Sequence, residues 1–174
     1  MSENYITDRV KAIIGAQTEK VAATHPVEAS EVRRFHHATM DPARRYWDAE
    51  WAASSRYGAL VAPPAFPVHA LRRPADSPDP LDEMGKPDYD GLSRSFSGLP
   101  VVEVNLPRDM NGGYEYELYR YARVGETVFR QSRYKDIVQR EGRTGPMVLV
   151  VIEEIYTNEA GELLLKVTNT QIMR

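Results

Sequence analysis

From Tyr114 onward the chain reads as four strand-like stretches in a row, and this feature constrains the fold more than any other. They span Tyr114–Arg123, Thr127–Arg140, Met147–Thr157 and Glu162–Met173, with turn signals at Val124-Gly125-Glu126, Glu141–Gly145 and Asn158–Gly161. Connections this short join antiparallel neighbours, because a parallel pair needs a long crossover. The run Met147 to Ile152 is apolar without alternation, which predicts a strand covered on both faces and therefore central. An antiparallel meander still needs a layer against its apolar face, and the upstream half supplies helical patterns. The expected layout is α+β.

Those patterns are short. Thr7 can cap a first helix carrying Val10, Ile13 and Ile14, with Gly15 as its stop. A second runs from about Ala29 to Met40, with Val32, Phe35 and Thr39 at helical spacing, and Pro42 ends it. A third, Asp48 to Arg56, starts on a good N-cap and stops near Gly58. A fourth begins near Pro64, since proline is tolerated in a first helical turn. Nine of the twelve prolines fall between positions 63 and 107, and about 73–110 reads as an irregular insertion in a single domain spanning 1–174.

Composition then removes whole classes of chemistry. Without cysteine there is no disulfide framework, thiolate metal site or cysteine nucleophile. The charge balance, 22 basic against 25 acidic residues, gives no general pull toward nucleic acid. The longest apolar run falls far short of the roughly 20 residues that span a bilayer, and MSENYITDRV lacks the pattern of a secretion signal. A cytoplasmic location is the expectation. Phosphate-binding, dinucleotide-binding, serine-hydrolase and zinc-protease motifs are missing. His36 and His37, adjacent on a helix, point about 100° apart and cannot share one metal, so no metal site is expected.

The richest polar cluster is Phe35-His36-His37-Ala38-Thr39-Met40-Asp41-Pro42-Ala43-Arg44-Arg45-Tyr46-Trp47-Asp48. Read on its own, it is served by structural roles: Asp41 before proline stops a helix and Asp48 caps the next. With Tyr57-Gly58-Ala59-Leu60-Val61-Ala62-Pro63-Pro64 downstream, however, it resembles the N-terminal hot-dog domain of MaoC-like dehydratases. That family's motif resembles F-x-x-A-x-G-D-x-N-P-x-[HY]-x-D, followed by A-x-x-x-x-[FY]-G-G-x-[VI]-A-P-P. Gly112-Gly113-Tyr114-Glu115-Tyr116-Glu117, Val124-Gly125-Glu126 and the later turns extend the likeness over nearly the whole chain outside the proline-rich segment.

The resemblance implies a hot-dog fold, an antiparallel sheet wrapped around a long central helix, usually paired with a second hot dog. It implies hydration of enoyl thioesters, or dehydration of 3-hydroxyacyl thioesters, carried on coenzyme A or a carrier protein. No cofactor is expected; the coenzyme A thioester is the substrate. In active members an Asp and a His five positions apart handle the protons, and an amide at the head of the central helix polarises the thioester carbonyl. Such a preorganised donor contributes heavily to rate because charge builds on that oxygen.

This chain departs at both points. Asp41 is kept, but the His position is Tyr46, whose phenol titrates near 10 and is a poor base at neutral pH. Where active relatives have His-Gly, this chain has Ala62-Pro63-Pro64, and proline has no N–H. The expectation is a non-catalytic half, binding substrate through Tyr57, Ala62, Pro63, Pro64, Ala65 and Phe66 and pairing with a second subunit that carries Asp-x4-His. A homodimer is the other assembly. Coenzyme A phosphates are expected to meet Arg120, Arg123, Arg130, Arg133 and Lys135. Alternatives are a self-sufficient hydratase using Asp41 with His37 or His36 and Tyr46 as proton donor, a non-catalytic acyl-thioester binder, and a thioesterase.

Overall fold

In the computed structural model the described residues are 3–71, 77, 82, 85–87, 89 and 96–174. Much of the expected insertion between 73 and 95 lies outside them. Short helices α1 (Asp8–Ala12), α2 (Ala29–Ala38), α3 (Ala49–Ser54) and α4 (Phe66–Ala70) precede one five-stranded antiparallel sheet. Its strands are β1 (Val21–Ala22), β2 (Asp109–Leu118), β3 (Phe129–Gly142), β4 (Gly145–Thr157) and β5 (Leu163–Met173), in the order β1-β3-β4-β5-β2. This is the α+β hot-dog arrangement, with the apolar run at its centre.

The helix ends obey the capping signals. The Thr7 hydroxyl accepts from the Val10 amide at 3.3 Å, and the Asp48 carboxylate accepts from Trp51 N–H at 3.0 Å. α4 opens at Phe66, two residues later than expected, because Ala65 is still its cap. Its described part is five residues, shorter than the long central helix the resemblance implies.

β2 also departs from expectation, running from Asp109 to Leu118 rather than from Tyr114 to Arg123. Asn111-Gly112-Gly113 is a bulge inside the strand, not its border. A Cβ at Gly112 would sit 2.9 Å from the Thr170 carbonyl oxygen, so only glycine fits, and Asn169 fixes the bulge by donating to Asn111 Oδ1 and the Gly113 carbonyl, each at 3.0 Å. Beyond Leu118 the amides of Tyr119 and Arg120 both donate to the Leu164 carbonyl, at 3.0 and 3.1 Å, and the chain leaves the sheet.

Register decides which side chains share a face, since directly paired residues project together. Val148, Val150, Ile152 and Tyr156 of β4 lie on one face with Leu165, Val167 and Met173 of β5 and Tyr134 of β3. One end of this face is covered by α2, α4 and the turn between α2 and α3, through Val32, Tyr46 and Phe66. The other end is covered by α1 and by a strap at 96–106 that buries Leu99, Val102, Val104 and Leu106. The last part of the expected insertion is therefore core. Val102, Val104 and Leu106 alternate as a strand would, and Pro100 and Pro107 hide the pattern in the sequence.

Candidate functional site

The motif loop links α2 to α3. α2 ends at Ala38, and Met40 takes the left-handed conformation (φ 53°), which lets the chain reverse into Asp41. The family motif carries glycine at this position, and the backbone shows why. Asp41 turns its carboxylate back to accept from the Ala43 amide at 3.1 Å. A 3₁₀ turn, Arg44–Tyr46, then drives the Tyr46 ring into the core, where it is 2% exposed.

Burial pushes the Tyr46 phenol above its ordinary range, outweighing the opposing pull of Arg45. The group standing at the histidine position is thus a neutral phenol at pH 7, held inside the protein. His36 is buried against it, the two rings 5.9 Å apart; its Nδ1 lies 3.1 Å from the Asp41 carbonyl oxygen and its Nε2 has no partner. His37 stacks edge-on against His36 at 4.4 Å. No hydrogen bond joins His37 to Asp41, but both line one groove of about 500 Å³ with His36, exposed Met40 and Trp47. Among the described residues no three His, Asp or Glu are placed to hold a metal ion.

The second departure, at the head of α4, has a backbone consequence. Val61 N–H donates to the Arg45 carbonyl at 3.1 Å and Ala62 N–H to the Ala122 carbonyl at 2.8 Å. Pro63 and Pro64 have no N–H, and the Phe66 amide is spent on the Pro63 carbonyl at 2.9 Å. The segment Val61–Pro63 is buried and Phe66 packs in the core, while Pro64 and Ala65 are exposed. The amides of the buried part of this segment are committed to the carbonyls of the Arg44–Tyr46 turn, of Ala122 and of Pro63, and none is left there to face a ligand.

The basic residues expected to act together are separated by the sheet. Arg133 and Lys135 project to the open face around the carboxylate of Glu153, which is 3% exposed; Arg133 Nη2 is 2.7 Å away and Lys135 Nζ 3.8 Å. Arg130 lies on the covered face, 3.7 Å from Glu154, whose carboxylate also accepts from Ser97 at 2.6 Å and Tyr156 at 2.7 Å. Only Arg120 and Arg123 meet, with Tyr57, Val61 and Arg56, in a hollow of about 320 Å³. Of these two, Arg120 is already engaged by Glu126, at 2.8 and 2.5 Å.

Arg45 and Arg56 belong to this neighbourhood and went unassigned in the sequence. Arg45 Nη1 and Arg56 Nη2 both donate to the Tyr57 hydroxyl oxygen, at 3.3 and 2.9 Å. Arg45 is held between the rings of Tyr46 and Tyr121, at 5.1 and 5.4 Å. A readable signal existed: arginines interleave with tyrosines in Arg45-Tyr46, Arg56-Tyr57 and Tyr119-Arg120-Tyr121-Ala122-Arg123.

Residues 12–167 match the family described as FAS1-like, dehydratase domain region. The chain belongs to that family. Comparison with curated protein sequences gives no match. Among solved structures, the ChsH1-ChsH2 complex of Mycobacterium tuberculosis is similar at a TM-score of 0.69 and 17% identity, over 95% of this chain and 86% of that one. A MaoC-like dehydratase from Rhodospirillum rubrum follows at 0.60 and 19%, over 92% and 91%. The HadBC 3R-hydroxyacyl-ACP dehydratase complex of Mycobacterium tuberculosis stands at 0.59 and 19%, over 92% and 96%. At these identities the likeness is one of fold, the hot dog shared with MaoC-like dehydratases.

Proposed function

We propose that this chain is the substrate-holding, non-catalytic subunit of an enoyl-thioester hydratase or 3-hydroxyacyl-thioester dehydratase, completed by a second hot-dog subunit with an intact Asp-x4-His. One observation carries the reading. The position that needs a titrating imidazole holds a phenol 2% exposed and shifted upward, beside a helix head whose buried amides are all spent. Loss of a placed acid–base group costs about 10²–10⁴ in rate, and loss of an oxyanion donor about 10²–10³.

The need for a companion has separate support in β2. Among the described residues it pairs with β5 alone, leaving a ten-residue edge, and nine of its residues are exposed. Unpaired strand edges of this length invite another chain. The heteromeric complexes among the fold relatives fit the same picture.

Hydration of crotonyl-CoA and of longer enoyl-CoA thioesters tests it. The purified chain is expected to give near-background rates, and co-expression with a hot-dog protein bearing Asp-x4-His to restore ordinary turnover. Ordinary turnover by the chain alone overturns the reading. A second reading, a self-sufficient hydratase using Asp41 and His37, is favoured by the groove these two share. It requires partner-free activity that His37→Ala and Asp41→Asn each abolish.

A further inference from the structure

The hollow beside Tyr57 has the features of a built anion site. A hydroxyl oxygen has two lone pairs and one proton. At Tyr57 the arginines at 45 and 56 occupy the oxygen, so the phenol proton is the one hydrogen-bonding function left to it. The hydrogen bonds from Arg56, the larger contributor, and from Arg45 also hold the phenol below its ordinary range, with their positive charge adding to the effect, which makes that proton a stronger donor.

Among the described residues no carboxylate pairs with these guanidiniums. Arg45, Arg56 and Arg123 form no ion pair with a described residue, although the chain as a whole carries a formal charge of −3. The sheet's other cations behave differently: Arg133, Lys135 and Lys166 surround Glu153, and Arg120 is taken up by Glu126 and Glu162. Arg45 gives up more. Its Nε is buried without a partner, a cost that the two flanking tyrosine rings offset only in part. A guanidinium fixed in this way positions Tyr57 and does not itself reach the hollow.

We propose that Arg56, Arg123 and the Tyr57 hydroxyl form a subsite for the phosphates of a nucleotide-type acyl carrier, of which coenzyme A is the probe. The inference rests on the thioester reading above for its choice of carrier. The chemistry fits: two guanidiniums without an ion pair to a described residue offer N–H donors to phosphate oxygens, Arg56 keeping one N–H on Tyr57, and the phenol supplies a third group. The volume, about 320 Å³, lies within the range of ligand sites, and the exposed Tyr119 offers a ring on which a base can stack.

Isothermal titration of coenzyme A into the purified chain tests the subsite without turnover. The Arg56→Ala/Arg123→Ala double variant, altered only at exposed side chains, is expected to raise Kd by roughly tenfold or more, and Tyr57→Phe by a smaller factor. Circular dichroism checks that each variant keeps the fold, and Arg56→Lys serves where the double variant does not. Binding of 3′-dephospho-CoA tells which phosphate is held. Affinity lost with the 3′-phosphate places that group in the hollow, and affinity retained, with competition by pyrophosphate, places the diphosphate there.

Coenzyme A that does not bind the wild-type chain at millimolar concentration, or binds the double variant equally well, overturns the subsite. The two proposals fail separately. A heteromer that hydrates enoyl-CoA with KM unchanged in the double variant keeps the hydratase and removes the subsite. Arginine-dependent binding without turnover in any heteromer does the reverse.

Discussion

β4 and β2 flank the same neighbour, β5, and their paired residues project onto the same face, yet their surroundings are opposite. Val148, Val150 and Ile152 of β4 are 0–2% exposed, whereas Tyr114 and Tyr116 of β2 are 52% and 51% exposed. Among the described residues, the layer formed by the helices and the 96–106 strap reaches β5 and stops. β4 is held by burial within this chain. Among the described residues β2 is held by backbone pairing on one side, with its tyrosines half exposed and its outer edge unpaired. The difference teaches that the fold is complete at its centre and unfinished at one border, where a companion is proposed to sit.

The largest effect separates the two strands by stability. Ile152→Ala is expected to cost about 2–5 kcal/mol, read as a lower urea midpoint with an unchanged slope. Tyr116→Ala in the isolated chain should cost under about 1 kcal/mol, because the ring has little burial to lose. Equal losses would break the comparison.

Next in size is the companion. Tyr114→Lys with Tyr116→Lys is expected to weaken heteromer formation by roughly 30-fold or more, seen as loss of co-elution, with the midpoint of the chain alone nearly unchanged. Retained co-elution would mean that the companion sits elsewhere.

The crossing that leaves β2 gives a smaller, pH-dependent effect. Burial pushes the Glu126 carboxyl upward, but Arg120, the Arg123 amide and Asn158 together bring it below its ordinary range. A carboxylate depressed in the folded state stabilises above its unfolded pKa and loses that contribution as pH falls through the folded value. Glu126→Gln should therefore lower stability at pH 7 by about 1 kcal/mol, and the gap to wild type should close in acid.

The smallest effect is at the motif loop, beyond the reach of either strand. Met40 is 87% exposed in a left-handed conformation, so Met40→Gly should raise stability by about 0.5–1 kcal/mol.

Much of this layout was legible in the sequence. The apolar run marked the central strand, Thr7 and Asp48 marked helix starts through their caps, and Tyr46, Pro63 and Pro64 marked the altered motif. What stayed hidden depends on long-range partners. The start of β2 is masked by Gly112, needed because Thr170 approaches from β5, which no local pattern announces. The 96–106 strap is masked by prolines that suit a covering segment. The five candidate phosphate contacts looked alike as a string, and only the fold tells Arg123, beyond the end of β2 in the hollow and without an ion pair to a described residue, from Arg133, on the open face of the sheet and bound to Glu153.

The central claim is that acid–base chemistry is missing from this chain and supplied by another. Initial rates of enoyl-CoA hydration, compared between the chain alone and the same chain with a hot-dog subunit bearing Asp-x4-His, test it most directly. The account predicts near-background rates for the first and ordinary turnover for the second, with the second lost when the companion's histidine is replaced. Ordinary turnover by the chain alone, abolished by His37→Ala, would contradict it.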